Sequence, residues 1–186
     1  FRLEYYPDRI DPKFGASPRA IMERNFRTCR SYANAFTENS GNLLFIGGTG
    51  LGKTFLSACI ARSVADRGCS VVYETASHLF SKLERAKFGG DEEARKETEK
   101  FTACDLLIID DLGMEISSSY ITAMIYNVID TRIMLKKPTI ISTNLSMQEL
   151  EKRYNERFVS RVLGFYDRMP FRGKDIRAKR KFGDIR

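Results

Sequence analysis

A glycine-rich stretch of eight residues constrains this chain more than any other feature. It fits the pattern G-x-x-x-x-G-K-[ST], and its glycines let the backbone curl so that several N–H groups point at one anion. The lysine near its end can reach the β- and γ-phosphates of a nucleotide, and the hydroxyl that follows can bind Mg²⁺. The stretch therefore predicts a phosphate-binding loop, made of Gly47, Gly48, Thr49, Gly50, Leu51, Gly52, Lys53 and Thr54.

The segments on either side of the loop have the patterns that such a loop requires. Residues 42–46 are mostly apolar and indicate a buried strand, and the apolar residues after the loop suit a helix packed on a sheet. That helix would begin near Lys53 and point the positive end of its dipole at the same anion. A chance glycine turn is the alternative, and the flanking strand and helix weigh strongly against it.

Short apolar runs alternate with helical patterns along most of the chain. Leu106–Asp110 is apolar on both faces, as a central parallel strand should be. The alternation predicts an α/β fold with a doubly wound parallel sheet. Residues 168–186 are basic and weakly patterned, and no element is assigned to them. The other predicted strands are 70–74 and 139–142, and the predicted helices cover 18–36, 77–88, 91–101 and 121–133, with another opened by the capping box Ser146–Glu149.

Length and composition fit one domain of a cytoplasmic protein. The chain has 186 residues, which is enough for a single core, and no apolar run approaches the ~18 residues of a membrane span. Four scattered cysteines with no C-x-x-C pair, and the single His78, do not make a zinc set and indicate reduced thiols. Because the chain begins at Phe1 rather than Met, we expect it to be a piece of a longer protein.

The positive charge is confined to the C-terminal fifth of the chain. Residues 1–150 carry as many acidic as basic side chains, whereas residues 151–186 carry 12 Lys and Arg against 5 Asp and Glu, which is the whole net charge of +7. A basic region of this kind is often only a solubilising surface. On a nucleotide-binding domain, a region facing phosphate is favoured, either that of the nucleotide or that of a nucleic acid.

Acidic and polar side chains end two of the predicted strands. Asp110 and Asp111 follow a buried strand at the carboxyl edge, where α/β sheets place their ligands. We predict that Asp110 contributes through water to a Mg²⁺ site with Thr54 and that Asp111 polarises the attacking water. Asn144 closes the next strand and is predicted to hold that water or contact the γ-phosphate. The alternatives are solvated acids in a turn and an Asn that caps its own loop.

Two groups of basic residues have a functional and an ordinary interpretation. Arg157 and Arg161 lie four residues apart, so they share one face of a helix. This face is either a solvated basic surface or the source of an arginine finger that reaches the γ-phosphate in a neighbouring subunit. A second group combines positive charge with an aromatic ring, which is the combination that binds single-stranded nucleic acid. An ordinary amphipathic helix would explain the same residues equally well. That second group is Lys82, Arg85, Lys87 and Phe88.

Taken together, these blocks resemble the AAA+ ATPases of the DnaC/DnaI helicase-loader group and the related IstB transposition ATPases. The resemblance runs from about residue 17 to residue 180. Residues 47–54 look like the Walker A motif, 106–113 are similar to Walker B, and 142–144 look like sensor 1. Phe55, directly after the loop, is counted with the nucleotide-binding residues.

The resemblance implies further roles and a domain plan. Residues 156–161 resemble the family's box in which the second arginine, Arg161, acts on a neighbouring subunit, and helices 77–101 fall where this clade carries a helical insertion that grips single-stranded DNA. The implied plan is an extended lead-in (1–16), a AAA+ domain (17–180) with a reduced or absent helical lid, and a basic tail (181–186). ATP or ADP with Mg²⁺ is the implied cofactor.

The implied function is an ATP-dependent helicase loader for DNA replication. Its partners would be a replicative helicase, single-stranded DNA and further copies of the chain assembled head to tail, with no membrane; open spirals follow when such contacts do not close. Two departures stand out: Walker B reads Asp-Asp, which suits a slow switch, and no sensor 2 arginine can be placed unless Arg177 substitutes. The helicase-binding region is expected N-terminal to this chain.

Other functions remain open from the sequence. A transposition helper ATPase of the IstB type would act on duplex DNA. A small-molecule phosphotransferase would need an acceptor pocket and a cluster of lid arginines, which the sequence does not reveal. A binding module gated by ATP without hydrolysis would lose DNA binding when Lys53 is changed.

Overall fold

The computed structural model describes residues 1–89, 92–115 and 119–177. Within them the chain alternates strands and helices after a short 3-10 turn at Leu3–Tyr5. The strands are β1 (Asn42–Ile46), β2 (Val71–Thr75), β3 (Leu106–Leu112), β4 (Thr139–Thr143) and β5 (Tyr166–Pro170). The helices are α1 (Pro18–Asn34), α2 (Lys53–Ala65), α3 (Ala76–Phe88), α4 (Glu92–Ala103), α5 (Ser119–Met134), α6 (Met147–Tyr154) and α7 (Glu156–Phe165).

The strands form one parallel sheet in the order β2-β3-β4-β1-β5. Alternate residues of each strand face opposite layers, as the pleat requires. Leu44 and Ile109 pack in a core with α3 and with α5 through α7, whereas Phe45 and Ile108 pack in a second core with α1 and α2. The result is the predicted doubly wound α/β fold, with the sheet between two layers of helices.

Helix ends follow the local signals in the sequence. Ser17 caps α1 by accepting a hydrogen bond from Ala20 N–H at 3.1 Å, with proline at the first helical position. Thr75 caps α3 by accepting a hydrogen bond from His78 N–H at 3.3 Å, so this helix begins at Ala76. Ser146 and Glu149 form the predicted capping box of α6. The predicted end of α3 agrees with the structure, and the predicted start of α4 at Asp91 lies outside the described residues.

The strand β5 was missed by sequence reasoning. Only Tyr166 and Met169 of its five side chains are buried, while Asp167 and Arg168 are exposed and Pro170 ends the strand. This is the pattern of an edge strand, in which proline and charge are tolerated because one side makes no ladder hydrogen bonds. Its pairing with β1 places the next residues beside the phosphate-binding loop.

One buried arginine links the end of α4 to the sheet. Arg132, near the end of α5, has no exposed surface and donates to the carbonyl oxygens of Phe101 at 2.9 Å, Cys104 at 3.1 Å and Pro138 at 2.6 Å. It also donates to Thr139 Oγ1 at 2.9 Å. The guanidinium thereby supplies hydrogen-bond donors to carbonyl oxygens at the C-terminal end of α4 and just before β4.

We expect R132M to destabilise the fold strongly, because it leaves these buried carbonyl oxygens without donors. The free energy of unfolding should fall by about 3 kcal/mol. The matched control is R62M, which removes an arginine paired with Asp66 on the exposed face of α2 and should cost less than about 0.5 kcal/mol. Urea unfolding followed by circular dichroism measures both. Equal losses for the two variants would contradict this role of Arg132.

Candidate functional site: a phosphate-binding loop at the carboxyl edge of the sheet

The phosphate-binding loop connects β1 to α2 and needs its glycines. Gly50 and Gly52 have φ angles of +68° and +90°, the left-handed region that glycine enters freely. Gly47 is required for another reason, because a Cβ atom there would lie 2.2 Å from the carbonyl oxygen of Phe171. The loop is therefore shaped both by its own backbone and by the chain that follows β5.

Lys53 lies inside the curl of the loop. Its Nζ donates to the carbonyl oxygens of Gly47 at 2.7 Å and Gly48 at 2.8 Å, and to Oδ1 of Asn144 at 2.5 Å. Burial lowers the pKa of the Lys53 amine, an effect opposed by the charges of Asp111 and Asp110. The structure thus brings together the predicted phosphate lysine and the predicted polar residue that ends β4.

Asp110 is a buried carboxylate that is held at both oxygens. Only 2% of the residue is exposed. The hydroxyl of Tyr73 donates to Oδ2 at 2.9 Å, and Ser142 Oγ donates to Oδ1. Burial raises the pKa of Tyr73, so its hydroxyl stays protonated and available as a donor at neutral pH. The carboxylate therefore has a fixed orientation.

Asp111 lies in an irregular turn at the end of β3. Its φ is +54°, and the β3–β4 pairing shifts register between Ile109 and Leu112. Its N–H donates to Ser142 Oγ at 3.0 Å. Burial and then the adjacent Asp110 charge raise the pKa of Asp111, against the opposing effects of Lys53 and Arg177. A carboxylate with a raised pKa is a better proton acceptor than an ordinary aspartate.

Thr54, the predicted hydroxyl ligand of Mg²⁺, is exposed on the first turn of α2. Ser57, one turn later, lies 3.1 Å from the Thr54 carbonyl oxygen and 3.0 Å from the Tyr73 hydroxyl, and its single hydroxyl hydrogen can bond to either of them. Because Tyr73 donates its own hydrogen to Asp110, Ser57 is the donor when it pairs with Tyr73, and hydrogen bonds then join α2 to Asp110. Among the described residues no group of three or more His, Cys, Asp or Glu side chains could hold a metal by itself. One hydroxyl and one carboxylate are what a Mg²⁺ ion shared with phosphate oxygens requires.

Sequence reasoning missed Ser57 and Tyr73 in this network, and it included Ser142 only as part of the segment that looks like sensor 1. Ser142 both donates to Asp110 and accepts from the N–H of Asp111, which makes it the link between the two acids. Tyr73 reaches Asp110 because β2 pairs with β3, with Tyr73 opposite Ile108. A prediction of these contacts would have required the strand order and register.

The segment after β5 crosses the outside of the phosphate-binding loop. Phe171 N–H donates to the Ile46 carbonyl oxygen at 2.7 Å, and Ile176 N–H donates to the Gly50 carbonyl oxygen at 3.1 Å. Arg177 follows directly; its positive charge opposes the rise in the pKa of Asp111 that burial causes, and it adds to the lowering of the pKa of Lys53 by burial. The chain between Phe165 and Arg177 holds a strand and no α-helix.

Arg161 takes no part in this hydrogen-bond network. It lies on α7 with Nε 2.8 Å from Oδ1 of Asp130 on α5, and its guanidinium carbon is 5.7 Å from the centroid of the Phe165 ring. Arg157, one turn earlier, is exposed. The predicted finger is therefore partly accessible and paired with an acid of its own chain.

The predicted nucleic-acid residues fall into two settings. Lys82 lies 2.6 Å from both Glu74 and Glu97, and these hydrogen bonds raise its pKa and join β2 to α4. Phe88, by contrast, is 72% exposed at the end of α3. Its ring centroid is 5.4 Å from that of Tyr120, and the Lys87 ammonium is 4.8 Å from the Tyr120 centroid. Arg85 lies one turn before this cluster, on the last turn of α3.

Residues 15–180 of the chain match the family described as IstB-like ATP binding proteins. The replicative helicase loader DnaC of Escherichia coli strain K12 is 30% identical over 133 residues, which are 72% of this chain and 54% of that protein. A putative ATP-binding protein of insertion sequence IS232 from Bacillus thuringiensis is 29% identical over 121 residues, 65% of this chain and 47% of that protein. The chain spans about half the length of these curated relatives.

Solved structures of the same kind share the fold. A crystal structure of the DnaC helicase loader superposes with a TM-score of 0.74 at 23% identity, over 92% of this chain and 96% of that one. A DnaI crystal structure gives a TM-score of 0.70 at 22% identity, over 81% of this chain and 84% of that one. The predicted AAA+ P-loop fold is confirmed. No described helix is both long and apolar enough to cross a membrane.

The raised pKa of Asp111 gives a test with a definite sign. Its charge costs stability at neutral pH, and this cost disappears as the pH falls through the folded-state pKa. We expect D111N to raise the urea midpoint at neutral pH and to lose that gain at acidic pH; asparagine also tolerates a positive φ. Urea unfolding at several pH values measures the effect.

Asp105 supplies the control of opposite sign. Hydrogen bonds from Ser70 lower the pKa of Asp105, so its charge stabilises the fold at neutral pH and this contribution is lost as the pH falls. D105N should therefore lower the midpoint at neutral pH. A lower midpoint for D111N at neutral pH would contradict the assigned environment of Asp111.

Proposed function

The chain belongs to the family of IstB-like ATP-binding proteins, and we propose that it is the ATPase domain of a helicase loader used in DNA replication. The observation that carries the proposal is the convergence of Lys53, Asp110, Asp111 and Asn144 on one phosphate-binding loop, while Arg161 lies apart. The residues at the loop suit a site for ATP. Arg161, which lies apart from them, suits an action on the ATP site of another subunit.

In the proposed site the loop from Gly47 to Thr54 binds the phosphates through its N–H groups, with Phe55 beside it. Lys53 exchanges its carbonyl partners for oxygens of the β- and γ-phosphates. Thr54 and Asp110 would hold Mg²⁺, which neutralises charge that develops on the phosphates. Tyr73 and Ser142 keep the Asp110 carboxylate in place for that task.

Hydrolysis is assigned to the residues at the carboxyl edge. Asp111 accepts a proton from water as the water oxygen attacks the γ-phosphorus, and the bond from that phosphorus to the ADP oxygen breaks. Asn144 orients the water or the γ-phosphate. Asp111 is one methylene shorter than the glutamate that many AAA+ enzymes carry, which favours slow turnover and a switch rather than a motor. We also propose that Arg177 acts on phosphate of the same subunit, because the residue before it is hydrogen-bonded to the loop at Gly50.

Arg161 is proposed to complete the site of a neighbouring subunit in a head-to-tail assembly. Its pair with Asp130 is partly exposed, so exchanging Asp130 for a phosphate of another subunit is feasible. A finger of this kind stabilises transition-state charge and contributes ~10³-fold or more to hydrolysis. Assembly without closure would give an open spiral.

A mixing experiment tests the finger. K53A alone and R161A alone should each hydrolyse ATP at a small fraction of the unmodified rate, because the first lacks a site and the second lacks a finger. Mixed together they should recover activity, since K53A subunits supply Arg161 to R161A sites. Phosphate release measures this.

The control for that experiment mixes R161A with the double variant K53A/R161A, which cannot supply a finger. This mixture should stay inactive. Full activity of R161A by itself would refute the role of Arg161, and recovery in the control mixture would refute its action between subunits.

Single-stranded DNA is proposed to bind along α3. Phe88 is exposed beside Tyr120 with Lys87 over the Tyr120 ring, so one cluster offers both a stacking face and a cation. Arg85 and Lys82 add positive charge to the same helix. Because Lys82 is engaged with two glutamates, we expect it to contribute less than Lys87.

F88A should weaken binding of a labelled single strand about 10-fold, the loss of one stacked base, without changing ATP binding. M134A is the matched control, since Met134 is as exposed as Phe88 but lies at the end of α5. Fluorescence anisotropy with ADP and with a non-hydrolysable ATP analogue, at two salt concentrations, measures both. Unchanged binding by F88A would contradict the proposed surface.

A second candidate function is that of a transposition helper ATPase, favoured by the similarity to the IS232 protein. The same anisotropy measurement separates the two functions. Tighter binding to single strands in the ATP state supports a loader, whereas a preference for duplex supports the transposition helper. The helicase partner itself is proposed from the similarity to DnaC.

A further inference from the structure

A buried glutamate lies four residues after Asp111 and takes no part in the proposed hydrolysis. Glu115 follows β3 by three residues, and only 3% of its side chain is exposed. A carboxylate buried to this degree is costly unless several donors satisfy it. Glu115 has such donors from two parts of the chain.

The first donor belongs to the turn that holds Asp111. Gly113 N–H donates to Glu115 Oε2 at 3.0 Å, and Gly113 has a φ of +105°. The same turn is packed closely, because a Cβ atom on Gly113 would lie 2.4 Å from Leu145 Cδ1. Glu115 therefore fixes a turn in which both Asp111 and Gly113 adopt left-handed backbone.

The other donors belong to the end of α6. Arg153 Nε lies 3.4 Å from Glu115 Oε1, and a second guanidinium nitrogen donates to the Glu115 carbonyl oxygen. The buried hydroxyl of Tyr154 also donates to Oε1. One acidic residue thus connects the Asp111 turn to the last two residues of α6.

The next residue is the corner between α6 and α7. Asn155 has a φ of +94° and caps α7 by accepting from Phe158 N–H at 3.0 Å. Tyr154 and Phe158 pack on either side of this corner, with ring centroids 4.7 Å apart. The direction of α7, and with it the position of Arg161, is therefore set by groups that Glu115 contacts.

We infer that Glu115 is a positioning residue that couples the Asp111 turn to the helix carrying Arg161, so that nucleotide bound in a subunit's own site changes the position of that subunit's finger. The inference rests on the proposed function. A shift of the Asp111 turn would move Glu115, and Arg153 and Tyr154 would transmit the shift through the Asn155 corner to α7. No water or phosphate needs to touch Glu115 for this to occur.

A fluorescence reporter on α7 tests the coupling. The chain has no tryptophan, so F165W places a single indole next to Arg161, whose guanidinium carbon is 5.7 Å from the Phe165 centroid. We expect its emission to change when ADP or a non-hydrolysable ATP analogue is added with Mg²⁺. In E115Q/F165W the change should be lost while nucleotide still binds, as measured separately by isothermal titration calorimetry.

The matched control is E97Q/F165W, which removes the ion pair between Lys82 and Glu97. Because this ion pair joins α3 to α4 and does not involve α7, the control should keep the emission change. Should E115Q fail to fold by circular dichroism, R153Q removes the same link from a partly exposed residue and carries the same expectation. An emission change that persists in both E115Q and R153Q, or one that is absent even with Glu115 present, would overturn the coupling. Absence of nucleotide binding in the calorimeter would overturn the proposed function, and this inference with it.

Discussion

The hydrogen bonds around the Asp110 carboxylate are the interaction on which the rest of the site depends. A buried carboxylate is tolerated only where donors satisfy it, and here the donors come from two strands that flank β3, Tyr73 on β2 and Ser142 on β4. Three strands are therefore tied together at the edge of the sheet where ligands bind. Ser142 also receives the N–H of Asp111, so the irregular turn that follows is held by the same residue.

The site combines groups that lie far apart in the chain. The loop supplies Lys53, and the end of β4 supplies Asn144. The segment after β5 packs so closely against the loop that there is no space for a side chain at Gly47. The C-terminal part of the chain thus contributes to the loop as well as carrying the excess positive charge. Part of that charge is Arg177, which directly follows the hydrogen bond between Ile176 N–H and the Gly50 carbonyl oxygen.

Local patterns made the fold and the loop predictable, whereas packing decided the rest. The loop, the acidic strand end and Asn144 are short motifs whose residue types follow from the chemistry of phosphate and Mg²⁺. Strand β5 has too few buried positions to be recognised without its partner β1. Tyr73 and Ser142 depend on strand order, and the clamp of Lys82 by Glu74 and Glu97 depends on how α4 packs.

We propose that the loop and the oriented Asp110 carboxylate form one site for a metal–nucleotide complex, and calorimetric titration of ADP, with and without Mg²⁺, into the chain and into D110N tests this proposal. We expect the unmodified chain to bind ADP more tightly with Mg²⁺, and we expect D110N to keep metal-free binding but to lose the increase due to Mg²⁺. No binding by the unmodified chain, or an equal increase in D110N, would contradict it.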